Sequence, residues 1–402
     1  MAAAGAHSAD AIVADVLRGN WSAGEHDGLH YAYTRPSPLR YPWQWYWDSC
    51  FAAIAWRHFD RARSRAELES LLTAQRSNGF IGHTIFWHRP VSGWRRLFYN
   101  VRDRSALTTE TIQPPLLAWA WRIAVGDPNA EPRIAAHVDW LAANRDLEGD
   151  GLLWIVQADE SGLDASPKFD PVWGRGAPSR IGFPFLVHHN RRLDWNARAV
   201  RDHGGPVLCE VVVNVLWSLS LMAMGRPSAT PALVERLWDE PRGLFLDEVQ
   251  PGGMRPGVET VAALAPLALP DLPEEIGRRL VDEHVLDPDR FWLEYPPPSV
   301  AASEPSFEPG PGRGPVRRYW RGPTWVNTAW LVWLGLVRLG YDEEAQQLAS
   351  RLRGLVEREG LREYYNPHTG TGLGAKDFAW TSLAVELADP RRATEVSPGA
   401  EG

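Results

Sequence analysis

The chain has 402 residues, 44% of them hydrophobic and 23% charged, an ordinary globular composition that supports a large core. A formal net charge of -8 argues against nucleic acid as a partner, because phosphate binding needs a basic face. Two cysteines, Cys50 and Cys209, are too few for a disulfide framework or a zinc cluster, and both lie in apolar stretches as core thiols.

Helical periodicity runs through the chain in order. Helices are expected over Ala11–Leu17, Asp48–His58 (with Asp48 or Ser49 as N-cap), Arg65–Gln75, Pro114–Ile123 and Arg133–Asn144. Val207–Met224 is apolar nearly all round, so it reads as a deeply buried helix. Glu210 and Asn214 interrupt it, which argues against a membrane span. Leu233–Trp238, Val258–Ala268, Glu274–Val281, Thr324–Leu339, Glu344–Glu357 and Trp380–Leu387 complete about a dozen helices. Strand-like alternation is scarce. Long loops rich in Gly, Pro and aromatics are expected at Phe86–Thr111, Leu153–Ala199, Phe291–Tyr319 and Tyr364–Ala379. The pattern suggests an all-α (α/α)6 barrel with its site at the loop-rich mouth, although an α-solenoid or a bundle gives a similar string. Residues 1–390 are expected to form one catalytic domain and 391–402 a flexible tail. The N-terminus lacks a basic start followed by an apolar run, so the expected location is cytoplasmic, without a membrane partner.

The 21 tryptophans are several-fold more than a chain of this length usually carries. Many sit beside polar residues, as in Trp43-Gln44-Trp45-Tyr46-Trp47-Asp48 and Trp320-Arg321. Any one of them fits a core. As a set they suit a sugar, whose C–H face packs on an indole while its hydroxyl rim meets polar neighbours. Two loop segments offer carboxylates for glycoside hydrolysis, which uses one carboxylic acid to protonate the leaving oxygen and another to activate water or attack carbon. The first, Gln157 to Pro167, holds Asp159, Glu160 and Asp164, and composition alone does not choose among them. The second runs from Arg362 to Gly370 and holds Glu363. No P-loop, dinucleotide fingerprint, Gly-x-Ser-x-Gly elbow or paired-histidine metal motif occurs, so neither a cofactor nor a metal is expected.

Several motifs in order resemble family 63 glycoside hydrolases, most of all their bacterial mannosylglycerate and glucosylglycerate hydrolase branch. They are Trp45-Tyr46-Trp47-Asp48-Ser49, Asn78 to Trp87, Thr111-Ile112-Gln113-Pro114-Pro115, Ser161-Gly162-Leu163-Asp164-Ala165-Ser166-Pro167, Tyr319-Trp320-Arg321-Gly322-Pro323-Thr324-Trp325, Glu363-Tyr364-Tyr365-Asn366-Pro367 and Gly372 to Thr381. The resemblance covers roughly Tyr41 to Leu387. It implies an (α/α)6 barrel and inverting hydrolysis of an α-linked glucoside or mannoside, with glycerate as an anionic aglycone in this branch. It selects Asp164 as general acid and Glu363 as general base, with carboxyl groups roughly 6.5–9.5 Å apart to admit a water. It also places Tyr41, Trp45, Trp47, Asp48, Gln113, Trp320, Arg321, Trp325, Lys376 and Trp380 around the substrate.

Lys376 stands where the branch leads one to expect an arginine fork. At 402 residues the chain is expected to be the catalytic barrel alone, without the N-terminal β-domain of larger members. The basic, aromatic loop Trp94–Arg104 fits equally a cap over the pocket that meets an anionic aglycone and a solvated loop, and the Pro- and Gly-rich Glu304–Pro315 reads from composition as a flap. The alternative is a toroid that binds sugars without cleaving them; the presence of both motif carboxylates favours hydrolysis.

Overall fold

The computed structural model describes residues 8–88, 91, 93, 99–103, 105–174, 183–311 and 319–398. The expected cap Trp94–Arg104 and the end of the expected flap lie largely outside them.

Helices dominate. They are α1 (Ala9–Asn20), α2 (Tyr46–Trp56), α3 (Arg61–Thr73), α4 (Leu117–Ala124), α5 (Glu131–Arg145), α6 (Asp170–Trp173), α7 (Phe183–Arg192), α8 (Ala197–Asp202), α9 (Val211–Ala223), α10 (Thr230–Leu237), α11 (Glu274–Leu280), α12 (Val326–Arg338), α13 (Asp342–Glu359) and α14 (Arg391–Val396). Two 3₁₀ helices, Val261–Ala268 and Ala379–Ala388, stand where α-helical periodicity was read. Pro266 lies inside the first and removes a backbone donor there.

Burial sorts these helices into two sets. Every residue of α2 is buried, as are Val211–Ser220 of α9 and Val326–Leu336 of α12. A helix covered on all sides belongs inside. In α13 only Ala345, Leu348, Ala349, Leu352, Leu355 and Val356 are buried, a single stripe of an outer helix. The inner elements contact one another in a fixed order. Helix α2 packs on α4, α4 on α9, α9 on the 3₁₀ helix Val261–Ala268, that helix on α12, α12 on Ala379–Ala388, and Ala379–Ala388 on α2. Helices α1, α3, α5, α10, α11 and α13 lie against this set from outside.

Short antiparallel sheets decorate the helices: β1 (Trp21–His26) with β2 (Leu29–Thr34), β3 (Gln44–Trp45) with β4 (Thr84–Ile85), and β5 (Trp154–Ile155) with β6 (Val207–Cys209). The others are β7 (Trp238–Asp239) with β8 (Leu244–Phe245), β9 (Glu248–Gln250) on β6, and β10 (Arg362–Tyr365) with β11 (Gly372–Lys376).

Six expectations need correction, the first being the loop expected over Tyr364–Ala379, which holds the end of β10 and all of β11. The β1–β2 hairpin was missed, although its Asp27-Gly28 turn, with φ of 49° and 78°, is a recognisable hairpin signal. Helix α9 starts after Glu210, because Val207–Cys209 pair as a strand and the Glu210 carboxylate caps the Val213 amide at 2.7 Å. The segment read as a loop from Leu153 to Ala199 contains α6, α7 and the start of α8. Asp48 does not cap α2, which begins at Tyr46 and leaves Asp48 in its first turn. Within the expected tail, α14 forms and docks: Val396 is buried and its carbonyl accepts from the Trp119 indole at 2.7 Å. Residues 399–402 lie outside the described set. Cys50 and Cys209 are buried free thiols. Among the described residues no helix is long and apolar enough to cross a membrane.

Candidate active site

Glu363 sits in β10 at a register irregularity between the Arg362 and Tyr364 pairings with β11. Its side chain is fully buried. Oε1 accepts from the Tyr41 hydroxyl at 2.9 Å, and Oε2 accepts from the Ala375 amide at 2.7 Å. The Arg40 guanidinium lies 3.8 Å from Oε2. Burial raises the Glu363 pKa. Arg40 is the largest opposing influence, followed by the Ala375 amide and the Tyr41 and Tyr319 hydroxyls. The strand leaves no room beside this carboxylate. A β-carbon on Gly374, whose φ is +69°, would stand 2.5 Å from Oε2.

Asp164 arrives on a different kind of backbone. A 3₁₀ turn, Ala158–Ser161, ends at Gly162 with φ of 72°, and Ala165 directly after Asp164 also has a positive φ of 61°. An alanine in that region is strained, as residues at functional sites often are. Gly162 is required twice over. Its φ disfavours other residues, and a β-carbon there would come 2.4 Å from the Trp47 ring. The acid loop therefore lies directly on Trp47. Asp164 is half-buried. Burial first, and then the Glu363 charge, push its pKa up to about 6 against its own backbone amide.

The other two carboxylates of the loop are engaged elsewhere. Glu160 is fully buried, receives two bonds from Arg145 at 2.8 and 2.6 Å, and accepts from the amides of Val156 and Ile112. It is an anchor. Asp159 accepts from Gln157 at 2.5 Å and Asn100 at 3.1 Å. Burial and the Asp164 charge hold its pKa well above the usual carboxylate range.

The remaining predicted residues divide. Asp48 is buried, and its pKa is raised by burial and then by the charges of Glu363 and Asp164, so three carboxylates share one region. Gln113 accepts from the Trp47 amide at 2.9 Å, which ties it to the start of α2. The aromatics form a connected wall. Trp320 stacks on Trp325 at 3.7 Å between ring centres, and Trp325 meets Trp380 at 5.4 Å. Trp380 meets Trp47 at 5.5 Å, and Tyr41 meets Trp45 at 5.9 Å. The indole N–H groups of Trp45, Trp320 and Trp325 are buried without a partner among the described residues, which leaves three donors in this wall.

Arg321 is committed elsewhere: it holds both oxygens of Asp170, at 3.0 and 2.8 Å, and the Ala165 carbonyl at 3.1 Å. Its visible task is to hold the Asp164 loop. Lys376 is exposed at the end of β11 and stands outside the buried carboxylates. Arg40, Tyr319 and Tyr364 were not expected at the site, yet all three act on Glu363 or feel its charge. Tyr319 and Tyr364 stand inside the motifs that carry the resemblance, and the one signal for Arg40 was its place before Tyr41.

A carboxyl with an elevated pKa, a second carboxylate held by hydrogen bonds and a cation, and an aromatic wall with indole donors make up the chemistry of a glycoside hydrolase. The chain belongs to the mannosylglycerate hydrolase MGH1-like glycoside hydrolase family, whose domain matches residues 41–223 and 225–381. The mannosylglycerate hydrolase of Thermus thermophilus is 29% identical over 410 residues, spanning 87% of this chain and 95% of that protein. The glucosylglycerate hydrolase of Mycolicibacterium hassiacum is 27% identical, over 88% of this chain and 93% of its own. The crystal structure of a family 63 mannosylglycerate hydrolase from Thermus thermophilus with Tris and D-glycerate superposes with a TM-score of 0.78. That likeness covers 94% of this chain and 99% of the other at 27% identity. The chain is a glycoside hydrolase.

Proposed function

We propose that this hydrolase cleaves the α-linkage between glucose or mannose and glycerate with inversion, using Asp164 as general acid and Glu363 as general base. The unequal environment of the two carboxyls carries the reading. Burial raises both, pushing Asp164 up to about 6, but at Glu363 a cation, a backbone amide and two tyrosine hydroxyls oppose the rise. In one step Glu363 takes a proton from water as the oxygen bonds to the anomeric carbon. The bond to the glycerate oxygen breaks and Asp164 gives that oxygen its proton. Asp48 and Gln113 bind hydroxyls, and the indoles of Trp45, Trp47, Trp320, Trp325 and Trp380, with Tyr41, shape the glycone pocket.

The cyclic packing order of six inner elements, each with an outer helix, supports an (α/α)6 toroid formed as one catalytic domain. We place it in the cytoplasm, where two free buried thiols remain reduced.

The test is to incubate the protein with α-mannosylglycerate and α-glucosylglycerate and follow the anomeric protons by NMR. The first sugar released should be the β-anomer. Release of the α-anomer refutes inversion, and binding of these compounds without cleavage refutes the hydrolase assignment to them.

A further inference from the structure

Three carboxylates in one region raise a question of proton allocation. Asp48, Asp164 and Glu363 act on one another electrostatically, and burial raises the pKa of each. Burial favours the protonated form of all three, Asp48 and Glu363 being buried and Asp164 keeping a little exposed surface, so burial by itself does not keep the base ionised, as catalysis requires.

We infer that Arg40 holds Glu363 ionised, so that within the pair of Glu363 and Asp164 the proton resides on Asp164, and that Arg40 thereby assigns the acid and base roles. The inference rests on the proposed roles of the two carboxyls. Its geometry is direct: the guanidinium is 3.8 Å from Oε2 of Glu363 and lies over the Tyr41 ring at 5.6 Å.

The groups that face Glu363 come from every element around it. Arg40 and Tyr41 come from the segment before β3, Asp48 from α2, Asp164 from the acid loop, Tyr319 from the segment before α12, Tyr364 from β10 itself and the Ala375 amide from β11. Among the described residues Arg40 is the one cation in that set, and arginine does not exchange its own proton in the working pH range.

Position also separates Arg40 from substrate recognition. The leaving glycerate lies on the side of the acid, because the acid protonates its oxygen; the base faces the opposite side of the sugar, where water enters. Arg40, 31% exposed and beside the base, belongs to the water side. It is a positioning residue that acts through Glu363.

The test is the pH dependence of kcat/KM for wild type, Arg40→Gln and Arg40→Lys on whichever glycerate glycoside the wild type cleaves. The base works only when ionised, so activity falls as pH drops through its pKa. Without the cation that pKa rises, and the acid limb of Arg40→Gln should move up by about one unit or more. Arg40→Lys keeps the charge and should restore the limb. An acid limb that does not move in Arg40→Gln overturns the inference, whatever happens to KM. Thermal melts of both variants supply a second readout through a double-mutant cycle. If Arg40 acts through Glu363, Arg40→Gln should change the melting temperature differently in the wild-type and Glu363→Gln backgrounds. Equal changes in the two backgrounds also overturn it. Failure of the underlying roles looks different: Glu363→Gln would then hydrolyse at a near-normal rate.

Discussion

Arg321 grips Asp170 through two hydrogen bonds of 3.0 and 2.8 Å and takes the Ala165 carbonyl, one residue past Asp164, with a third of 3.1 Å. A side chain from the segment Tyr319–Trp325 thus holds the loop that carries the proposed acid. The strained backbone at Ala165 needs such a clamp, since nothing in its own conformational preference keeps it at a φ of 61°. Arg321→Lys keeps the charge but loses the planar fork. Its kcat should fall by up to roughly 10²-fold, as a displacement of the acid by about 1 Å can produce. A steady-state assay checks this, and an unchanged kcat would separate Arg321 from acid placement.

Asp164→Asn and Glu363→Gln should each lower kcat by about 10³-fold, within the range for a lost general acid or base, while KM changes little. Saturation kinetics on the cleaved glycerate glycoside decide it. A variant with more than about a tenth of the normal rate does not lack its acid or base.

The pH profile of kcat/KM should be a bell whose basic limb lies near 6, because the acid must keep its proton and Asp164 is pushed up to about 6. The same shift has a stability consequence of definite sign. A carboxyl with a folded-state pKa above its unfolded value stabilises the fold below the unfolded value, and that contribution is lost as pH rises through the folded value. Asp164→Asn should therefore melt higher than wild type at pH 7, by roughly 2 °C, and the gain should vanish near pH 3. Differential scanning calorimetry at both pH values reads it; an equal gain at both would contradict the assigned shift.

Gly374→Ala should damage both activity and stability. The added methyl would meet the Glu363 carboxylate at 2.5 Å and its β-carbon at 2.6 Å, on a backbone with φ of +69°. Gly28→Ala is the control. Its φ is +78° but no atom lies within 4 Å, so it should cost only the backbone penalty of about 1–2 kcal/mol and leave kcat alone. Equal effects on kcat would mean that the contact with Glu363 is irrelevant.

Arg145→Met removes one partner of a fully buried ion pair and strands Glu160 among the amides of Val156 and Ile112. Destabilisation of about 3–5 kcal/mol is expected, because the remaining charge has no solvent to turn to. Chemical denaturation measures it. A loss under about 1 kcal/mol would show that Glu160 takes up a proton at little cost.

The inner helices were legible because burial on all sides leaves a trace in the sequence: α9 and α12 are apolar nearly all round. The outer helix α13 was legible for the converse reason, a single stripe ending in charged residues. The hairpin Trp21–Thr34 was missed because its strands carry little alternation, β1 being half-buried or exposed throughout and β2 running from exposed at Leu29 to buried at Thr34. Helices α7 and α8 were missed because both are short, ten and six residues, and few of their residues are buried.

At the site, residue types and motif order named Asp164, Glu363 and most of the aromatic wall. They did not separate Asp159 and Glu160 from Asp164 on physical grounds. That separation required Arg145 to arrive from α5 and Asn100 from another loop. Nor did they show that Arg321 is spent on Asp170, that Lys376 is exposed, or that Arg40 attends Glu363 from near the opposite end of the chain. That these loops offer carboxylates amid aromatics could be read along the chain, because residue type is a property of the sequence, and the resemblance to family 63 alone chose among them. The charge state of each carboxylate could not be read there, because it depends on burial and on cations and amides that folding brings in from distant segments.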